Sequence, residues 1–243
     1  MSIIYIVGTG TFVNTVAVVV GGIIGYIFQR LLNEKLKTAI MQAIGVAVIF
    51  IGFAGALAQI LVIHDNHIST TGTIMATISL VLGTLVGEII DIDHQFVKFG
   101  KWLRRRIGSP DDSKFVDGFV SASLTVCVGA MAVIGPLQDA LQHDPTMLFT
   151  KAILDAVVVA IYASAFGLGA VFSALPVFIF QMVITLLAVL INQFLSTAMT
   201  NGISLVGSMM IFCIGVNLLF NMEIRVANML PALIVVVLYV AYI

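Results

Sequence analysis

Long apolar runs separated by short polar turns follow one another along the whole chain. A membrane-spanning helix needs about 20 predominantly apolar residues. Runs of that order fall at about 3–28, 41–62, 72–90, 116–137, 151–172, 175–196, 201–220 and 226–243. The pattern predicts an all-α fold, a polytopic transmembrane helix bundle of about eight spanning helices forming a single domain over residues 1–243. Only FSALPV lies between the fifth and sixth runs, which predicts a tight antiparallel hairpin there. The last run is short and carries Pro231 near its start, a residue that membrane helices tolerate.

Composition agrees with that reading and narrows the partners. With 60% hydrophobic and 9% charged residues, and a mean hydropathy of +1.16, the chain has too little polar surface for a soluble domain. Its first partner is therefore the lipid bilayer. The N-terminal MSIIYIVGTGTFVN lacks a basic region before its apolar stretch, so it reads as the start of the first span rather than a cleaved leader. Basic residues cluster in alternate loops: Arg30, Lys35 and Lys37; Lys98 through Lys114; and Arg225. With eight spans all of these share one face, opposite Lys151, Asp65, Asp139 and Asp144. Basic loops stay in the cytoplasm, which places both termini outside. The dense cluster at Arg104–Arg106 lies between two membrane segments, so nucleic acid is excluded as a partner.

The runs are not independent. Residues 10–25, GTFVNTVAVVVGGIIG, align without gaps on residues 72–87, GTIMATISLVLGTLVG. Gly10, Thr11, Thr15, Gly21 and Gly25 match Gly72, Thr73, Thr77, Gly83 and Gly87. This predicts repeat-like hairpins at 3–62 and 72–137, followed by the remaining helices over 151–243. The paired Gly-x-x-x-Gly spacing puts small residues on one helix face, where backbones approach closely, within the chain or between copies in a homo-oligomer. A weaker echo links GVAVIFIG from Gly45 to GSMMIFCIG from Gly207, in helices that cross in opposite directions.

Against this apolar background the candidate chemistry is sparse. Asp155 lies inside AILDAVVVAIYASAFGLGAVF, where a carboxylate is expensive and needs a partner or a function. Lys151, four residues earlier, offers a salt bridge near the headgroups; the functional alternative is a buried carboxylate that binds a cation or exchanges a proton. Tyr162 follows on a similar face. Asn14 and Asn217 are the expected polar partners from other helices. Gly129, Gly135 and Pro136 weaken the fourth helix, which predicts a kink at the outer membrane boundary; the alternative is a discontinuity that aims free backbone groups at an ion. Cys127 and Cys213 sit in apolar runs without ligand spacing, and His64, His67, His94 and His143 are scattered through loops. No metal site or cofactor is expected, and no catalytic constellation is present, so the chain does not read as an enzyme.

The segments GTFVNTVAVVVGGIIG, SLTVCVGAMAVIGPLQDAL, LFTKAILDAVVVAIYASAFGLGAVFSALPV and ANMLPAL resemble a bacterial family of integral membrane proteins, domain of unknown function 554. The resemblance covers nearly the whole chain and implies a multi-pass protein of the bacterial cytoplasmic membrane. It implies no activity. Ala156 stands where that family tends to have glycine after the aspartate. On the residues themselves, the leading expectation is a secondary transporter of a small solute or ion, proton- or cation-coupled through the membrane-embedded aspartate. A channel or pore, and a non-transporting membrane scaffold, are the alternatives.

Overall fold

The computed structural model describes residues 6–28, 34–64, 67–95, 98, 113–127 and 130–242. Arg30, Asp65, Gly129 and the Arg104–Arg106 cluster lie outside the described residues. The helices are α1 (Thr9–Ile27), α2 (Glu34–Ile60), α3 (Thr73–Ile90), α4 (Ser113–Cys127), α5 (Ala130–Gln142), α6 (Thr146–Phe166), α7 (Ala174–Asn192), α8 (Thr197–Phe220) and α9 (Pro231–Tyr242). Short 3-10 turns, Gly167–Ser173 and Val226–Met229, precede α7 and α9. A feature the apolar pattern does not predict joins α2 to α3: an antiparallel hairpin of β1 (Leu61–His64) and β2 (His67–Thr70), with Leu61 opposite Thr70.

The expected eight spans are not all met by length and composition. Among the described residues five helical stretches are long and apolar enough to cross a bilayer, or six if the bent pair α4–α5 counts as one. Two physical facts account for the difference. The stretch Thr146–Asn192 counts once although it holds 47 residues. At 1.5 Å per residue a straight helix of that length would reach about 70 Å, more than twice the hydrocarbon thickness. It reverses instead at Gly167, which takes φ +83. Val171 then lies by Gly22 and Met182, further on, by Gly8, so α7 runs back along α1. The last apolar stretch, Val226–Tyr242, is too short to count.

The chain forms two compact units, Met1–Ile40 with Gln95–Leu190, and Met41–His94 with Ile191–Ile243. Each expected hairpin contributes one helix to each unit: α1 and α4 to the first, most of α2 and all of α3 to the second.

In the first unit α1 and α6 run parallel, and the reason is in their small residues. A side chain at Gly21 or Gly25 would land on the main chain of Ala156 or Ala160. The buried face of α1 is Gly10, Thr11, Asn14, Val18, Gly21, Gly22 and Gly25, whereas Phe12, Val16, Val20, Ile23 and Ile27 are exposed. Small and polar residues therefore face protein and bulky apolar ones face outward. That is the arrangement expected where lipid replaces water and close packing, not hydrophobicity, joins helices.

In the second unit α3 packs its glycines on α9 and the 3-10 turn before it, with Gly83 against Ala232 and Gly87 against the Asn228 carbonyl, and here the partners run antiparallel. Both Gly-x-x-x-Gly pairs thus sit at close crossings, but on partners of opposite direction. The helix starts also differ from the sequence match. α3 begins behind Gly72 and α1 behind Gly8, two residues before the aligned Gly10, each glycine in the left-handed region that a side chain would strain. The two segments of the weaker echo meet directly: α2 and α8 run antiparallel, Gly45 beside Leu219 and the Gly215 carbonyl, Gly52 on the main chain of Phe212.

Candidate functional site: a buried lysine–aspartate pair

The face that α6 turns inward carries Leu148, Lys151, Ala152, Asp155, Val159 and Ala163, spaced at the helical period. Lys151 and Asp155 are neighbours one turn apart on that face. The ammonium Nζ donates to both carboxylate oxygens, at 2.8 Å and 2.7 Å. The carboxylate is fully buried and Lys151 is 3% exposed. The salt bridge considered for the headgroup layer therefore forms, but inside the protein.

Two other helices complete it. Asn14, on the buried face of α1, donates its Nδ2 to Asp155 Oδ2 at 2.9 Å. The third proton of Lys151 goes to the Val126 carbonyl at 2.8 Å, so every ammonium proton has an acceptor. Val126 is next to the last described residue of α4, just before the bend between α4 and α5. The pair is thus held beside a bend: α4 is described to Cys127 and α5 from Ala130, and the two are bent by 54°.

The bend falls earlier than Gly135 and Pro136. α5 continues through both, and Gly135 is a packing residue whose added side chain would strike Leu148. Asp139, further along α5, sits at the start of α1, facing the amides of Gly8 and Gly10. Gly129, the other glycine expected to weaken this helix, lies outside the described residues. Tyr162 is in the same unit but binds elsewhere: its hydroxyl is 2.9 Å from Thr125 Oγ1 and its ring stacks on Phe166 at 6.2 Å. Asn217 belongs to the second unit and closes a turn there, with Nδ2 to the Ile224 carbonyl at 2.8 Å and Oδ1 from the Ile224 amide at 3.0 Å. Both ends of its amide are engaged by backbone.

The first unit carries further buried polarity. Thr11 Oγ1, Asn14 Oδ1, Ser173 Oγ, Gln181 Nε2 and Oε1, and Thr185 Oγ1 are buried without a hydrogen-bond partner among the described residues. Ser173 precedes α7, and Gln181 and Thr185 share its buried face with Val177 and Ala188. The signal for that face was present in the sequence as polar residues four apart in an apolar helix. The second unit contrasts with this. It has a cavity of about 370 Å³ among α2, α3 and α8, lined by residues such as Phe53, Leu80, Met209 and Phe212, with Thr84 as its hydroxyl. At the end of α3, exposed Arg225 bridges Glu88 at 2.7 Å and Asp91 at 2.5 Å, and the Asp93 amide donates to Asn228 Oδ1 at 2.7 Å.

A multi-helix membrane protein with an internal ion pair at a helix break is the class that this geometry defines. The chain belongs to the family described as protein of unknown function DUF554, whose model matches residues 9–241. It is 32% identical over 235 residues to the uncharacterized membrane protein YdfK of Bacillus subtilis, covering 96% of each chain. It is also 25% identical over 228 residues to the uncharacterized protein YqgA of Escherichia coli, covering 92% of each. No solved structure matches it.

Proposed function

We propose that this chain is a secondary transporter of a small solute or ion, proton- or cation-coupled through Asp155, and not an enzyme. The observation that carries the reading is the fully buried Lys151–Asp155 pair, closed by Asn14 from α1 and by the Val126 carbonyl at the end of α4. An intramembrane charge is by default a functional site, and discontinuous helices supply the backbone groups that transporters use around such sites. A pair that can open gives the protein two states differing in charge placement, which is what coupling to an ion requires.

The test is uptake into proteoliposomes from a defined mixture of small metabolites and salts, driven by an imposed proton or sodium gradient and read by mass spectrometry. The native chain should accumulate at least one component. Asp155→Asn keeps the size of the side chain and its contacts with Lys151 and Asn14 but leaves the ammonium without a counter-charge, so it should be less stable than the native chain; the fraction that purifies folded should lose gradient-driven accumulation. Downhill flux that persists in Asp155→Asn would favour a pore, and no flux with the native chain a scaffold.

The cytoplasmic membrane and the orientation are part of the same proposal. A single cysteine placed by Arg105→Cys, in a background without Cys127 and Cys213, should react with an impermeant maleimide in inverted vesicles only. Reaction from outside in intact cells would reverse the topology.

A further inference from the structure

Deepening that reading, we infer that the buried pair takes a small monoanion together with one proton, Lys151 holding the anion and Asp155 the proton. The transporter reading is needed only for the claim that the bound pair crosses the membrane; binding stands apart from it.

The site contains one ammonium and one carboxylate, both desolvated and paired. A lone cation entering would set two positive charges against one carboxylate, and a lone anion would set two negative charges against one ammonium. Either imbalance is heavily penalised away from water. An anion arriving with a proton leaves the total at zero. The proton comes from bulk water and ends on a carboxylate oxygen of Asp155. The anion replaces that carboxylate as the partner of Lys151. Only hydrogen bonds are exchanged.

The geometry has the parts that this exchange needs. Lys151 is tethered to the Val126 carbonyl independently of Asp155, so it keeps its place when the carboxylate is neutralised. A protonated Asp155 requires an acceptor, and the amide beside it carries one: Asn14 Oδ1 is buried and has no partner among the described residues. Turning the Asn14 amide over would put Oδ1 where Nδ2 now meets Asp155 Oδ2, and would free Nδ2 to donate to the anion. Thr11, three residues earlier on the same buried face, adds a second donor, its hydroxyl likewise unpartnered among the described residues. Among the described residues the pair bonds Asn14 from α1 and the Val126 carbonyl from α4, with the Cys127 thiol within electrostatic reach. Asp139 of α5 lies apart, at the start of α1.

The experiment is calorimetric titration of the detergent-purified chain with sodium formate, acetate, lactate, nitrate and chloride, each alone. It is run from about pH 5.5 to 8.5, in two buffers of different ionisation heat. At least one anion should bind with uptake of one proton, its apparent Kd rising about tenfold per pH unit where free Asp155 is ionised. Asp155→Asn should bind the same anion with no proton uptake and a flat pH profile. Adding Lys151→Gln to Asp155→Asn, which leaves the site neutral and so preserves the fold, should abolish binding. The inference falls if none of the five anions binds, if native binding is independent of pH, or if methylammonium chloride binds with proton release. Proton-linked anion binding without uptake into liposomes would sink the transporter reading alone. Gradient-driven uptake of a cation without anion binding would sink this inference alone.

Discussion

Lys151→Met should destabilise the folded chain by about 3–5 kcal/mol, because it leaves the fully buried Asp155 carboxylate without its cation. The double variant Lys151→Met with Asp155→Leu should recover most of that loss, since apolar side chains of similar volume replace a buried ion pair at little or no cost. Thermal unfolding of the three proteins in one detergent checks the pattern. A single variant as stable as the native chain would mean that water reaches Asp155, and the enclosed site described above would be wrong. A stable, folded double variant that no longer transports would separate the pair's functional role from its contribution to stability.

The second large effect is expected at the α1–α6 crossing. A side chain at Gly25 would occupy the position of the Ala160 main chain, and one at Gly21 that of Ala156. Backbone cannot rotate away as a flexible side chain can. Gly25→Val should therefore exceed the about 1–3 kcal/mol of ordinary core overpacking and separate α1 from α6. The informative control is Gly167→Ala. Nothing lies within 4 Å of an added carbon there, but φ is +83, so only conformational strain is introduced. With ψ −160 this is the extended region at positive φ that essentially only glycine adopts, and the strain is worth about 1–3 kcal/mol. Equal losses at the two positions would mean that the helices do not touch where the structure has them.

Much of this architecture was legible because lipid inverts the usual pattern. In α1 the chain alternates bulky apolar residues with small and polar ones at helical spacing, and the second set is the packed face. Asp155 and Asn14 were visible as polar residues in apolar runs, and they meet. Gly21, Gly25, Gly83 and Gly87 were visible by spacing, and each lies at a close crossing.

What spacing does not encode is the identity and direction of the partner. The repeated GT…G-x-x-x-G segments pack on helices running opposite ways. Nothing local distinguishes a parallel from an antiparallel neighbour when both present small residues. The depth of Lys151 was hidden for a related reason: a lysine near a helix end ordinarily extends to the headgroups, whereas here the Asp155 carboxylate and the Val126 carbonyl together hold it inside. Asn217 looked like Asn14 in sequence, but its amide closes a turn at Ile224. Pro136 marked a break that falls elsewhere, because a proline removes one ladder bond without ending a helix that its neighbours support.

The separation between Asn14 and Asp155, 141 residues, has a consequence for biogenesis. Synthesis runs from the N-terminus, so α1 enters the bilayer long before its partner exists, its amide and its glycine face uncovered. α6 does not face the same problem. Its lysine and aspartate are four residues apart on one helix, so they neutralise each other as soon as that turn forms. The charged segment can therefore leave the translocation machinery as an electrically balanced helix, before any other part of the site is in place.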